Sequence, residues 1–90
     1  MSEVRNDEAE ECYVLDTDGG RAIAAYRREG EAVVFTHTEV PAALEGRGIG
    51  SALVNGALAD VRRAGLKVVA QCSFVAAYME RHAEERDLLA

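Results

Sequence analysis

The sequence predicts an α+β (α/β) fold with a mixed, mostly antiparallel sheet in the order β-β-β-α-β-α, and three observations carry that prediction. Two short aliphatic and aromatic runs meet at Asp18-Gly19-Gly20, a turn suited to a hairpin. Apolar residues at Ile49, Leu53, Ala57, Leu58 and Val61 return at the period of a helix. Strand-like runs stand before and after that helix, and a strand, helix, strand unit on one sheet is normally a right-handed crossover between parallel strands.

In chain order, "CYVLDT" and "RAIAAYRR" are the first two strands, and a turn at Glu29-Gly30-Glu31 leads into "AVVFTHTEV". That third strand is β-branched or aromatic at most positions, which completes a three-strand meander. Pro41 lacks an amide donor and ends it. After the loop "EGRGIG", residues 45–50, a helix starts at about Gly48, with Ser51, Asn55, Asp60, Arg62 and Arg63 on most of its polar side. Arg62 and Arg63 suit its last turn and Gly65 its C-terminal cap. "LKVVAQCS", residues 66–73, is a fourth strand with Leu66, Val68, Ala70 and Cys72 on one face. A second helix runs from about Phe74 to His82, with Phe74, Val75, Tyr78 and Met79 as its apolar side.

Ninety residues, 49% apolar, suit one domain over 1–90 that buries roughly 60% of its unfolded surface, with residues 1–10 expected to be flexible. The opening "MSEVRNDEAEEC" is acidic where a secretory signal would be basic and then apolar, and every apolar run is too short for a bilayer. A cytoplasmic protein without a membrane partner is the expectation. Cys12 and Cys72 have neither C-x-x-C spacing nor histidine company, so free thiols are expected and no metal. A net charge of −6 argues against a nucleic-acid partner, which needs a basic stripe. The charge is uneven: residues 1–45 hold eleven acids and four bases, residues 46–90 five and six. The second half, where the glycine loop begins, repels an anionic ligand least.

Gly46, Gly48 and Gly50 precede a helix N-terminus, where backbone amides can converge on a phosphate. A nucleotide P-loop needs Lys-Ser/Thr after its final glycine, and Ser51-Ala52 stands there. A dinucleotide fold needs G-x-G-x-x-G and an acid ending the next strand; this chain has G-x-G-x-G and Cys72-Ser73. "VPAALEGRGIGSALV" resembles instead the acyl-coenzyme A loop of the GNAT acetyltransferases, where a Q/R-x-x-G-x-G/A loop binds the coenzyme's pyrophosphate. "THTEVP" before the loop and "LKVVAQCSFVAAYMERH" after it extend the resemblance over about residues 10–90, to the minimal small-acetyltransferase subfamily of YjdJ or GtlY type. It implies a truncated GNAT fold with a central splay between the third and fourth strands. The chain departs from the family loop at Glu45, which replaces a Gln or Arg; Glu keeps the backbone amide used there but sets a carboxylate near the pyrophosphate, which Arg47 can offset.

The resemblance implies acetyl-CoA (coenzyme A) as co-substrate, bound by Val40, Glu45, Gly46, Arg47, Gly48, Ile49, Gly50, Ser51, Ser73 and Phe74, and an N-acetyltransferase acting on a small-molecule or peptide amine. Backbone amides around Glu39 and Val40 would hold the oxyanion. Tyr78 lies where many relatives carry the tyrosine that protonates the leaving thiolate, and reads equally as a core aromatic. His37 and Glu39 alternate onto one strand face near the cleft, unless a bulge changes the register, and either could take the amine proton; His37 also reads as a polar residue on an exposed strand end. Cys72 matches a recurrent cysteine of the subfamily suspected of carrying the acetyl group; it also reads as a small buried hydrophobe. Larger GNAT enzymes place helices between their early strands that help wall the acceptor site, so this site is expected to be shallow and open, in a monomer or weak homodimer. Two alternatives stand beside the enzyme: a coenzyme A binding module without efficient transfer, and an unliganded interaction domain.

Overall fold

The computed structural model describes residues 3–90. Five strands form one sheet in sequence order: β1 (Arg5–Asp7), β2 (Cys12–Thr17), β3 (Gly20–Glu29), β4 (Ala32–Glu39) and β5 (Lys67–Ala70). The first three pairings are antiparallel and β4–β5 is parallel, as the crossover through helix α1 (Ile49–Arg63) requires. Helix α2 (Ser73–Arg81) follows β5, and 3-10 segments cover Ala42–Leu44 and Ala83–Leu88.

The mixed sheet and the element types agree with expectation, with one addition. Residues 5–7, expected to be flexible, form a strand, so the meander has four strands before α1. The three residues carry no hydrophobic alternation, and tertiary contacts hold them instead. Tyr26 donates its hydroxyl to Asn6 Oδ1 at 2.6 Å, and Val4 presses so closely on Gly56 of α1 that a Cβ there would lie 2.5 Å from Val4 Cγ2.

Both helices pack on one face of the sheet. Leu53, Val54, Ala57, Leu58 and Val61 of α1 are all buried, which removes each side chain from water at a gain of roughly 1.5–3 kcal/mol for the larger ones. They meet Tyr13, Tyr26 and Phe35, whose rings pack with centroids 5.3 to 6.3 Å apart. Tyr13 also ties the sheet to α1 by donating to Asp60 at 2.8 Å. Val75, Tyr78 and Met79 of α2 join the same core, as does Leu88 from the last 3-10 segment. Arg62 clamps that segment: its guanidinium reaches both oxygens of Asp87 at 2.7 and 2.9 Å and Glu85 Oε1 at 3.0 Å. Beyond it the Ala90 amide donates to Val68 O at 2.9 Å along the free side of β5.

Among the described residues, no helix covers the opposite face. Arg5, Val14, Ile23 and Glu39 form one cross-strand row there and Asp7, Cys12, Ala25 and His37 another. Val14 and Val34 are buried on this side with Arg5 and Arg27 as their paired neighbours, long side chains whose stems cover apolar surface.

Candidate active site

One irregularity in β4 decides which side chains face where. Ala25 pairs with His37 and Tyr26 with Phe35, so Thr36 has no partner and forms a bulge. Strict alternation from Phe35 would put His37 and Glu39 on the helix-covered face. The bulge turns them to the open face, opposite Ala25 and Ile23, and turns Thr38 inward opposite Ala24. The register change left open by the sequence is therefore present. His37 Nε2 and Glu39 Oε2 lie 2.9 Å apart, with more than half of each side chain in solvent.

The strands part just beyond the bulge. β4 and β5 pair from Ala32 to Phe35, and then the amides of Gln71 and Cys72 both converge on Phe35 O, at 3.0 and 2.9 Å. β4 continues to Glu39 without β5, which is the splay expected between these strands. A groove of about 680 Å³ lies here, between the end of β4, the glycine loop and the first turn of α2. That volume is within the range of small-molecule and cofactor sites.

Its loop wall is backbone. Gly48 caps α1 in the left-handed region (φ 74°), Gly46 is likewise positive (φ 82°), and no side chain caps the helix. The amides of Gly46, Gly48, Ile49, Gly50 and Ser51 make no backbone hydrogen bond among the described residues. No acidic residue occupies the first turn to satisfy them. Five free donors at the positive end of a fifteen-residue helix suit an anion with several oxygens. Cβ atoms at Gly46 and Gly48 would meet nothing, so there the requirement for glycine is conformational; at Gly50 a Cβ would lie 2.6 Å from Phe74 Cζ, so it is steric. Two loop amides are already used: Glu45 donates to Ala42 O at 3.2 Å and Arg47 to Leu44 O at 3.3 Å. The expected contribution of the Glu45 amide is corrected accordingly, because that N–H closes the 3-10 turn.

The strand wall is made of side chains and one amide. Thr38, Glu39 and Val40 line it, with Arg21 from β3 beside them. The Val40 amide, just past the last β3–β4 pair, has no backbone acceptor among the described residues. Asp16 accepts from Arg21 Nε at 2.7 Å and from Arg5 at 3.2 Å, and these two guanidinium groups hold its carboxyl below the usual range.

Of the expected coenzyme residues, Val40, Glu45, Gly46, Gly48, Ile49, Gly50, Ser51 and Phe74 line this groove; Arg47 and Ser73 are exposed nearby in the chain without lining it. Of the expected catalytic residues only Glu39 lines it. Cys72 is buried one side chain behind, its Sγ 3.2 Å from Thr38 Oγ1. Tyr78 is buried between the helices, where it stacks on His82 at 3.9 Å and points its hydroxyl at Asn55 Oδ1 over a long 3.4 Å. Burial first, then Glu85 and Glu84, push its hydroxyl pKa up. Arg21, Thr38, Pro41 and Leu44 are lining residues that sequence reasoning missed. The signal for the hairpin was Gly19-Gly20: Cβ atoms there would meet Leu44 Cδ2 at 2.5 Å and Pro41 Cγ at 3.0 Å, so the turn is small where it touches the loop.

Comparison with known proteins agrees with this geometry. The family profile described as GCN5-related N-acetyl-transferase matches residues 12–88. Among solved structures, the NMR structure of a GCN5-like candidate N-acetyltransferase from Staphylococcus aureus superimposes with a TM-score of 0.75 at 25% identity, covering 98% of this chain and 87% of that one. No curated protein matches. A match across nearly the whole chain, with the splayed strands and glycine loop in place, establishes that the chain belongs to the GCN5-related N-acetyltransferase family.

Proposed function

We propose that the protein is an N-acetyltransferase that moves an acetyl group from acetyl-CoA to an amine. The observation that carries this reading is the set of free loop amides at the head of α1, facing a groove that also reaches the open end of β4. Acetyl-CoA, when bound, supplies the activated acetyl group. The amides of Gly46, Gly48, Ile49, Gly50 and Ser51 hold its pyrophosphate, and Phe74, packed on Gly50, forms the side of the groove against α2.

The remaining roles fall to the strand wall. An amine is protonated at neutral pH and must lose a proton before its nitrogen can attack. Glu39 accepts that proton, with His37 hydrogen-bonded behind it as the exit to solvent. The Val40 amide donates to the carbonyl oxygen as negative charge develops there. The carbon–nitrogen bond forms as the carbon–sulfur bond breaks, the acylated nitrogen sheds its second proton to water, and the departing thiolate takes a proton from water. Tyr78 is not assigned this last step, because its hydroxyl is turned to Asn55.

A relay through Cys72 is a second reading, favoured by one contact. Thr38 lines the groove and touches Cys72 Sγ, so the thiol lies directly behind a groove-lining side chain. In that route the sulfur takes the acetyl group first and the amine removes it afterwards.

The test begins with binding. Acetyl-CoA should raise the melting temperature, and an amine panel should give acetylated product by mass spectrometry. Absence of any thermal shift would overturn the reading, and a shift without turnover across the panel would make the protein a coenzyme A binding module. Intact mass after incubation with acetyl-CoA separates the two routes: an adduct of one acetyl group that disappears in Cys72→Ala supports the relay, and its absence during active turnover assigns direct transfer.

A further inference from the structure

Two opposite charges line the groove on its strand side and are not paired with each other. Glu39 stands opposite Ile23 on β3, and Arg21 is two residues from Ile23 on the same strand face. That makes them diagonal neighbours with Cα atoms roughly 7–8 Å apart, within easy reach of a salt bridge. Each is instead held from its far side, Glu39 by His37 at 2.9 Å and Arg21 by Asp16 at 2.7 Å. Asp16 gives one oxygen to Arg21 and the other to Arg5, so one carboxylate serves two guanidinium groups and a positive charge is left over. Arg21 makes this contact through Nε, and its terminal nitrogens have no partner among the described residues.

From this arrangement we infer that the acceptor is a dipolar amine, a small amino acid or a compound with a carboxylate close to its amino group. The ammonium lies at Glu39, which takes its proton, and the carboxylate lies against the free nitrogens of Arg21. A guanidinium offers parallel donors matched to a carboxylate, and its anchored Nε fixes the direction in which they point. A simple amine would satisfy Glu39 alone. The inference rests on the acetyltransferase reading and names the substrate class of that same groove. Arg21 selects and orients the acceptor and takes no proton.

The test uses the native chain with acetyl-CoA and matched acceptors: glycine against glycinamide, β-alanine against β-alaninamide, and methylamine, compared at equal concentrations of free amine. Each acid should exceed its amide in kcat/KM by about tenfold, the scale of one charge-assisted hydrogen-bonded pair at a partly exposed site. In Arg21→Gln that ratio should fall to near one, and in Arg21→Lys it should survive in part. Equal rates for acid and amide in the native protein, or an unchanged ratio in Arg21→Gln, would overturn the inference. Calorimetric titration of the same pairs into the coenzyme A complex separates it from the reading beneath it. Preferential binding of the acid without transfer keeps the dipolar site and sinks the transferase; transfer without any preference does the reverse. Binding of neither, without transfer, sinks both.

Discussion

The two walls of the groove are built from different materials. The loop wall is backbone: donors aimed by glycine conformations at Gly46 and Gly48, with no side chain taking part in the aiming. The strand wall is side chain, with charges at Glu39 and Arg21 held by partners one residue further out. Backbone donors are fixed once the chain folds, so they suit a ligand that is always the same. Side chains can be exchanged without disturbing the sheet, so they suit a ligand that must be told apart from similar ones. The division implies that damage to one wall should leave the other intact.

The largest effect is expected on the strand wall. Glu39→Gln keeps the shape and removes the base, so kcat/KM should fall by roughly 10²- to 10⁴-fold. Coenzyme A affinity, measured by calorimetry, should stay within error of native, because no loop amide depends on Glu39. Weaker coenzyme binding in this variant would mean that the walls are coupled.

The loop wall should give the mirror image. Gly48→Val forces a β-branched residue into the left-handed region, a strain on the order of 1–3 kcal/mol that the cap can relieve by turning its amides away. Coenzyme A should bind roughly 100-fold more weakly, while circular dichroism reports an unchanged fold. Gly50→Leu should act similarly through a different cause, collision with the Phe74 ring. Retained affinity in both variants would remove the loop from the site.

The walls also differed in how far the sequence disclosed them. Although the turns that occupy the Glu45 and Arg47 amides were not foreseen, glycine spacing before an amphipathic helix is a local signal, so most of the loop wall was readable. The facing of His37 and Glu39 was not, because the Thr36 bulge arises from how β4 pairs with β3, and a period-two reading cannot place an unpaired residue. Arg21 reaches the groove only through the packing of the Gly19-Gly20 turn on Leu44 and Pro41. Arg5–Asp7 escaped for a similar reason: three polar residues carry no strand pattern, and the glycine that admits the neighbouring Val4, Gly56, lies about fifty residues away in the middle of a helix. Tyr78 shows the limit of matching a residue by chain position. Its helical phase points it at Asn55, and that phase follows from where α2 starts at Ser73.

Glu45→Gln should produce a smaller change, and of opposite sign. Glu45 lines the groove beside the free amides, so its negative charge opposes an anionic ligand. Removing the charge should tighten coenzyme A binding a few-fold at low salt, and the gain should shrink as ionic strength rises, since exposed charges are screened over about 10 Å at 0.1 M. A gain independent of salt would point to altered loop geometry instead of charge.

The smallest effect on the groove is expected from the Arg62 clamp, which belongs to neither wall. Arg62 holds the Asp87 carboxyl below its ordinary range, chiefly by hydrogen bonding. A group with a lowered folded pKa contributes stability above its unfolded value, near 3.9 for aspartate, and loses it as pH falls through the folded value. Native protein should therefore melt higher than Asp87→Asn near neutral pH, and the two curves should converge on acidification. The difference near neutrality should be modest, because the pair is exposed to solvent. Coenzyme A affinity near neutral pH should be the same in both proteins. If Asp87→Asn weakened it, the last 3-10 segment would be positioning α2, and through Phe74 on Gly50 the loop wall would prove to be anchored by the C-terminal segment as well as by its own glycines.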